Sequence, residues 1–175
     1  MVESHKILDK IKHYLVQPLC EIGCGDETII EDCFGIDGRD FPCVDFVTDG
    51  LYGLKEKLEQ AGKPSQFKCT ISSHTAEHLP NMYRTIDEWS DLVVSGGYFI
   101  LYLPQSGAYN NYENPEHFYD TEYKSFLFWI TQTFCGGAKN YKGEQYAPAK
   151  LEVIESGLDI EEKDHYSFFI VLKKL

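Results

Sequence analysis

Basic residues are scarce in this sequence of 175 residues: 16 lysines and arginines face 28 aspartates and glutamates, which gives a formal net charge of −12. The basic residues are also scattered along the chain rather than clustered. Nucleic-acid binding needs clustered lysine and arginine to neutralise phosphates, so the composition argues against nucleic acid as a partner. The same negative charge disfavours binding to anionic membrane surfaces.

Long apolar runs are absent as well. The longest one, Tyr98 to Leu103, has the length of a strand, whereas a membrane-spanning helix needs about 20 apolar residues. The N-terminus lacks the charged and then apolar pattern of a secretion signal. The six cysteines form no C-x-x-C pair, and most lie in apolar, strand-like stretches, which is typical of buried reduced thiols. These absences predict a cytoplasmic protein without membrane contact.

What the sequence does contain is an alternation of strand and helix patterns. Short apolar runs predict five strands, at 19–23, 33–37, 44–49, 67–71 and 98–103. Apolar residues at helical spacing predict a helix before the first strand and further helices over 51–61, 82–93 and 123–134. Residues 148–156 are predicted as another helix, because Pro148 suits a first turn and Gly157 suits the position after a last turn. Two final strands, 158–163 and 167–172, would form a hairpin.

The alternation indicates an α/β fold with a mainly parallel sheet, in one domain that spans residues 1–175. The segment 105–135 differs from the rest, because its first part is polar and rich in tyrosine and asparagine. Around His117 it carries Tyr109, Tyr112, Phe118 and Tyr119. Tyrosine faces and asparagine amides suit polyhydroxylated ligands, so we interpret 105–135 as an insertion that forms a lid over a substrate.

Acidic residues and glycines follow the first three strands. In open α/β sheets, ligands bind beyond the carboxyl ends of the strands, where the strand order reverses. In Glu21-Ile-Gly23-Cys-Gly25 the glycines allow a tight turn and a close approach of the backbone to a ligand. Asp37 ends the second strand, where its carboxylate can accept two hydrogen bonds from a ribose diol. Asp49 ends the third strand, where it can accept a hydrogen bond from an exocyclic amine.

These motifs, in this order, resemble those of the class I S-adenosylmethionine-dependent methyltransferases of the compact, small-molecule type. Glu21 to Gly25 resembles the family's first motif, Phe34 to Asp37 its second, and Asp49 to Leu54 its D-x-x-x-x-L element. Ser72-Ser-His-Thr-Ala-Glu-His-Leu79 is similar to the family's loop after the fourth strand. The glycine pair 96–97, followed by a strand and a proline, is also similar.

The resemblance implies a fold and a set of contacts. The fold would be a Rossmann-like, doubly wound, mainly parallel seven-stranded sheet with a C-terminal antiparallel hairpin. The cofactor would be S-adenosylmethionine, with Asp37 at the ribose and both Asp49 and a backbone N–H of Leu51 at the adenine. The other implied cofactor contacts are Glu21, Gly23 and Gly25 beside the methionine part, and Ser73 and His74 from the loop after the fourth strand.

Two features depart from the family pattern. Glu27 occupies the place of the usual third glycine, where its carboxylate would repel that of the cofactor. Only 16 positions separate Glu21 from Asp37, so the first crossover helix should be shortened or absent. A catalytically inactive, methyltransferase-like binding or scaffold subunit is therefore the alternative to an active enzyme.

The stretch Ser72 to Pro80 also contains H-x-x-E-H, a pattern of zinc hydrolases. Metal binding in that form requires His74, Glu77 and His78 to share one face of a continuous helix. A strand ends at about Ser72 and Pro80 follows His78 by two residues, so too little helix remains. No third ligand is marked downstream. We therefore predict no metal site.

His78 and His117 are the candidate catalytic residues. A histidine with an ordinary pKa titrates near neutral pH, so either one can remove a proton from an acceptor hydroxyl. The sulfonium of the cofactor is already activated, and methyl transfer needs little beyond alignment and proton removal. The predicted activity is O-methylation of a small molecule, with a sugar or glycan intermediate as the best substrate class. A homodimer is the oligomeric state left open.

Overall fold

The apolar runs of the sequence assemble into one seven-stranded sheet in a computed structural model, which describes residues 3–109, 114–139, 141–145 and 148–175. The strands are β1 (Leu19–Ile22), β2 (Phe34–Asp37), β3 (Val44–Val47), β4 (Phe67–Ser73), β5 (Val93–Pro104), β6 (Leu151–Asp159) and β7 (Ser167–Lys174). Their order in the sheet is β3-β2-β1-β4-β5-β7-β6. Strands β1 to β5 pair in parallel, whereas β7 is antiparallel to β5 and to β6. The Rossmann-like, mainly parallel sheet with a C-terminal antiparallel hairpin is confirmed.

Helices cover both faces of the sheet. The described residues contain α1 (Glu3–Ile11), α2 (Leu54–Gln60), α3 (Met82–Ser90) and α4 (Tyr123–Phe134), with short 3₁₀ turns at Lys12–Tyr14 and Ala76–His78. Helix α3 begins where expected, because the Asn81 side chain accepts a hydrogen bond from the backbone N–H of Arg84. It ends three residues earlier than predicted, since Val93 already belongs to β5.

Neighbouring strand residues point to opposite faces, which separates the core into two layers. Leu19 packs with Ile7 and Ile11 of α1, and Ile100 belongs to the same layer. The adjacent Cys20 belongs to the second layer, which contains the apolar faces of α2, α3 and α4. Strand β5 contributes to both layers and is buried from Phe99 to Pro104, as its continuous apolar sequence predicts.

The connections on the β3 side of the sheet are unusually short. Residues 23–33, which join β1 to β2 and are all described, contain no helix. Residues 38–43 join the parallel strands β2 and β3, although such crossovers ordinarily take a dozen residues or more. Ile29 and Cys33 of the first connection are buried in the α1 layer. The predicted shortening of the first crossover is therefore confirmed.

The prediction of a helix at 148–156 is wrong. Residues Leu151–Asp159 form β6, which pairs with β7 over its whole length. Gly157, interpreted as a helix-terminating residue, lies within the strand, where a Cβ would be 3.1 Å from the Phe169 ring. The hairpin itself is confirmed, but its first arm begins at Leu151 and ends before residues 160–163. Pairing with β7 outweighed the local helix signals, because local propensity is weak compared with tertiary contacts.

All six cysteines are free thiols, and four of them are buried, in agreement with the prediction of reduced thiols. No helix in the described part of the chain has the length and apolar character needed to cross a membrane. Tyr112, which the sequence placed in the substrate lid, is outside the described residues.

Candidate active site

Three predicted cofactor residues meet at the carboxyl edge of the sheet, beside the point where the strand order reverses between β1 and β4. Gly23 and Gly25 follow β1 with φ angles of 74° and 65°, which glycine adopts without strain. The backbone N–H of Gly25 donates to Oδ2 of Asp37 over 2.9 Å. The backbone N–H of Gly23 donates to the carbonyl of Ile36 over 2.8 Å. The glycine turn is thus bound to the end of β2.

The Asp37 carboxylate is already well supplied with protein donors. Asp37 is 7 % exposed, and its Oδ1 accepts from the backbone N–H of Arg39 at 3.0 Å and from its Nε–H at 3.5 Å. A carboxylate offers about four acceptor positions, so one ribose hydroxyl can bind at Oδ2 directly. Binding a diol requires the Arg39 side chain to leave, which its 70 % exposure and its long bond permit. The residues present therefore fit a ribose.

Glu21 precedes the glycine turn but faces the interior. Its Oε2 accepts from the backbone N–H of Ile29 over 2.6 Å, and burial raises the pKa of its carboxyl to about 7. Glu21 thereby anchors the helix-free connection between β1 and β2. Glu27, expected to repel the cofactor, has its Oε2 3.9 Å from Nδ1 of His5 on α1.

The two residues predicted at the adenine lie beside the end of β3. The backbone N–H of Thr48 donates to the Asp37 carbonyl over 3.0 Å, which joins the ends of β2 and β3. The side chain of Asp49 is 98 % exposed and pairs with Lys57 at 3.2 Å. The carbonyl of Leu51 accepts from the indole N–H of Trp89 over 2.8 Å. The loop after β3 is thus fixed by α3, and its adenine contacts stay a prediction.

The loop after β4 packs directly on the glycine turn. A Cβ added to Gly23 would lie 2.1 Å from Oγ1 of Thr75, so only glycine allows this approach. The Thr75 hydroxyl donates to the Ser73 carbonyl over 2.9 Å. The hydroxyl of Ser73 is itself buried and has no hydrogen-bond partner among the described residues. An unpaired buried hydroxyl at the end of β4 suits a polar ligand.

His74 is directed at α1 and β7. Its Nε2 is 2.8 Å from the hydroxyl of Ser167 and 3.8 Å from Oε2 of Glu3. Its backbone has a φ of 48°, and its N–H donates to the carbonyl of Tyr102 over 2.9 Å. Burial lowers the pKa of its imidazole to about 4, so the ring is neutral at neutral pH. The predicted contact of His74 with the cofactor stays a prediction.

The two candidate catalytic histidines lie next to each other. The ring centroids of His78 and His117 are 4.5 Å apart, with the ring planes nearly perpendicular. The backbone N–H of Phe118 donates to the Glu77 carbonyl over 2.9 Å, which holds the predicted lid segment against the loop after β4. Burial, with a smaller effect of His78, lowers the pKa of His117. A neutral His117 imidazole can therefore accept a proton at neutral pH.

Glu77 is the residue that sequence reasoning set aside and that the structure places between the histidines. It is fully buried, and burial raises the pKa of its carboxyl to about 8. Its Oε1 is 3.8 Å from Nδ1 of His74 and 4.0 Å from Nε2 of His78. As expected, no continuous helix carries the H-x-x-E-H pattern, because Ala76–His78 is a single 3₁₀ turn. The pattern itself was the available signal, but His117 is 39 positions beyond His78 in the chain.

A cleft of about 580 Å³ begins two residues beyond each candidate catalytic histidine, at Pro80 and Tyr119. The Tyr119 hydroxyl donates to the Pro80 carbonyl over 2.8 Å and accepts from the Met82 N–H at 3.1 Å. The walls combine apolar and aromatic surface with polar groups. They include Met82, Tyr83, Phe126, Trp129, Asn81, Asp120 and Glu122. Such a mixture suits a small ligand with several polar groups.

Comparison with known proteins supports this fold at low sequence identity. A methyltransferase from Archaeoglobus fulgidus that depends on S-adenosylmethionine superposes with a TM-score of 0.59 at 16 % identity, over 95 % of this chain and 91 % of that one. The N-methyltransferase NodS from Bradyrhizobium japonicum gives 0.57 at 12 % identity, over 98 % and 93 %. NodS in complex with S-adenosyl-L-homocysteine gives 0.58 at 10 % identity, over 98 % and 85 %.

No family model and no curated protein matches the sequence. At identities this low, the likeness establishes the fold. The chain has the fold of the class I S-adenosylmethionine-dependent methyltransferases, as its motifs predicted.

Proposed function

We propose that this protein binds S-adenosylmethionine and transfers its methyl group to a small-molecule acceptor. The observation that carries the proposal is the hydrogen bond from the Gly25 N–H to Oδ2 of Asp37. It lies at the carboxyl edge of the sheet, next to the reversal of strand order. It places a buried carboxylate and a glycine turn where this fold binds its ligands. The methyltransferases with the same fold support the proposal independently of the motifs.

Four of the predicted cofactor residues have distinct tasks in this proposal. Asp37 accepts ribose hydroxyls, with Arg39 moving out when a diol binds. The unpaired hydroxyl of Ser73 gains a partner from the polar part of the cofactor. Asp49 and the backbone of Leu51 border the adenine, and Trp89 holds that loop in place. The cofactor supplies an electrophilic methyl group, so the protein has only to align the acceptor and remove its proton.

We further propose a hydroxyl of a sugar or glycan intermediate as the acceptor. The cleft beside Pro80 and Tyr119 offers aromatic faces together with carboxylates and an amide, a combination suited to polyhydroxylated molecules. His117 or His78 would take the hydroxyl proton, since the pKa of His117 is lowered and its ring is neutral. The loop 114–118 would act as part of the lid.

Methyl transfer is tested by measuring formation of S-adenosylhomocysteine in the presence of panels of sugars, sugar nucleotides and small amines. Turnover with a hydroxylated acceptor, reduced about 100-fold or more in His117→Ala, is the expected result for a general base. The exposed His13→Ala is the matched control and should keep full activity. Turnover with amines alone would contradict the O-methylation proposal.

A cofactor-free binding or scaffold subunit is the second candidate, and a specific observation favours it. The N–H groups of Gly23, Cys24 and Gly25 donate to Ile36 and Asp37 instead of remaining open to a ligand carboxylate. This candidate predicts no affinity for the cofactor and a stable complex or homodimer, visible by size-exclusion chromatography with light scattering. A cytoplasmic location and the absence of nucleic-acid binding stay predictions of both candidates.

A further inference from the structure

The Glu77 carboxyl is buried, and its nearest basic groups are Nδ1 of His74 at 3.8 Å and Nε2 of His78 at 4.0 Å, both beyond hydrogen-bond distance. Glu77 is 0 % exposed, and neither of its carboxylate oxygens has a hydrogen-bond partner in the part of the chain that the structure describes. An ionised carboxylate in this state is costly, because it loses its hydration and gains no short hydrogen bond from another side chain, so the group stays protonated unless a cation binds it. Buried charges in native proteins are normally paired or bound to a metal ion. The environment of Glu77 therefore calls for a positive partner.

The orientation of His78 shows what kind of partner fits. Its Nδ1 is 3.2 Å from the backbone carbonyl of Glu116, and a carbonyl can only accept a hydrogen bond. Nδ1 is therefore the donor in this contact, and the tautomer with a single ring N–H has its lone pair on Nε2. That Nε2 faces the unpaired Oε1 of Glu77 at 4.0 Å. Once Glu77 loses its proton, the two groups are acceptors that face each other across a gap that a cation fills. Donation of the other ring N–H to a carbonyl is the usual arrangement of metal-binding histidines.

His117, in the predicted lid segment, is the third side chain of the group. One ligand atom from each of Glu77, His78 and His117 lies within 4.8 Å of the other two. The lid is fixed at this point by the bond from the Phe118 N–H to the Glu77 carbonyl and by the contact between His78 and Glu116. The three side chains therefore converge through tertiary structure, although His117 is distant in sequence.

We propose that Glu77, His78 and His117 form a binding site for a divalent first-row transition-metal ion, with zinc as the best match. Two imidazoles and one carboxylate are a known three-residue zinc set, and they leave further coordination positions open. Ligands on tetrahedral zinc are about 3.4 Å apart, since each lies about 2.1 Å from the metal. The site therefore has to close slightly on binding, and both histidines are partly exposed.

This site differs from the one that the H-x-x-E-H pattern suggested. His74, the first histidine of that pattern, is engaged by Ser167 and Glu3, and His117 takes the place of the third ligand. If zinc binds here, the sequence-based prediction of no metal site is wrong, because the third ligand comes from a segment that is distant in sequence. If the proposed methyl transfer is also right, an acceptor hydroxyl on the open position loses its proton more readily, because a bound cation lowers its pKa. In that case the metal, rather than a free imidazole, activates the acceptor.

Zinc titration of the full chain by isothermal calorimetry, with elemental analysis after dialysis, tests the site directly. We expect one equivalent of zinc in the wild type and at least a tenfold loss of affinity in both Glu77→Gln and His117→Ala. The matched control His13→Ala removes an exposed histidine, 58 % exposed on the surface, and should bind like the wild type. Thermal unfolding of each variant, followed by circular dichroism, shows that a lost signal reflects the site and not the fold. Cobalt substitution should give visible absorption bands in the wild type and not in either ligand variant.

Two outcomes overturn the proposal. In the first, the folded wild type binds no zinc at millimolar concentration, and Glu77 is simply protonated. In the second, zinc binds equally well to Glu77→Gln and to His117→Ala, which places it elsewhere. Affinity for S-adenosylhomocysteine, measured on the same samples, separates this inference from the proposed function: zinc binding without nucleoside binding supports the metal site alone.

Discussion

The two halves of the carboxyl edge differ in whether their buried polar groups are hydrogen-bonded within the protein. On the β1–β3 side, the carboxylates of Asp37 and Glu21 are bonded to backbone N–H groups, and the peptide groups of the glycine turn are paired. On the β4–β5 side, the side-chain oxygens of Ser73 and Glu77 are buried and lack hydrogen-bond partners among the described residues. Polar groups that the protein satisfies itself hold the fold, whereas buried groups left unpaired point to a missing ligand. The glycine turn and Asp37, which match family motifs, lie in the first half. The buried oxygens without hydrogen bonds lie in the second half.

The largest expected loss of stability comes from truncating Trp89, whose indole connects α3 to the loop after β3. Trp89 on α3 is fully buried, and its indole N–H fixes the loop after β3. Trp89→Ala should reduce the free energy of unfolding by about 3–5 kcal/mol, as for other large core truncations. Trp89→Phe keeps most of the packing and removes the hydrogen bond, so it should cost about 1–3 kcal/mol. Urea unfolding measures both, and a Trp89→Phe variant as stable as the wild type would show that the hydrogen bond does not matter.

The next effect distinguishes the two glycines of the turn. Gly23→Ala places a Cβ 2.1 Å from Thr75, on top of a left-handed backbone conformation. We expect about 1–2 kcal/mol of backbone strain and a further 1–3 kcal/mol of overpacking. Gly25→Ala adds the strain alone, because no atom lies within 4 Å of its Cβ position. If chemical unfolding shows the same loss for both variants, Thr75 does not pack on the turn as described.

Glu21, on the β1–β3 side, should make the free energy of unfolding depend on pH. Burial raises the pKa of its carboxyl from 4.5 to about 7, so between these values the folded protein binds more protons than the unfolded one. The free energy of unfolding should then fall as the pH rises through this window, by at most about 1.4 kcal/mol per pH unit from this group. Glu21→Gln should flatten the dependence by that amount. Glu27→Gln, which removes the same charge from a side chain that is mostly exposed, should leave the slope unchanged.

The smallest effect compares two neighbouring serines on β4. The Ser72 hydroxyl donates to the Ile22 carbonyl over 3.0 Å, and its removal should cost about 1 kcal/mol. The Ser73 hydroxyl is buried and unpaired within the described residues, so Ser73→Ala should be neutral or slightly stabilising. Differential scanning calorimetry of both variants without ligand provides the measurement. A cost for Ser73→Ala equal to that for Ser72→Ala would mean that this hydroxyl already has a partner.

Much of the fold could be predicted from local patterns. The continuous apolar run of β5, the glycine turn after β1 and the helix 123–134 depend on periodicity and backbone chemistry, which act over a few residues. Strand β6 could not be predicted in this way, because its pairing with β7 is a tertiary contact that overrides a proline and a glycine placed as in a helix.

The candidate site could be predicted only where a single strand end defines it. Asp37 is the last residue of β2, so its position at the ligand-binding edge comes from the order of the elements. The convergence of Glu77 with His117 depends on how the lid folds back over the loop after β4, and no spacing in the sequence encodes that. The burial that leaves the Glu77 carboxylate unpaired is likewise a property of the assembled structure.

Calorimetric titration with S-adenosylhomocysteine, performed on the wild type and on Asp37→Ala, tests the central claim most directly. We expect the wild type to bind with a Kd below about 1 mM and Asp37→Ala to bind at least tenfold more weakly, since it loses one or two charge-assisted hydrogen bonds to the ribose. Folding of the variant is checked by circular dichroism. No heat of binding in the folded wild type at millimolar ligand, or undiminished affinity in Asp37→Ala, would contradict the account.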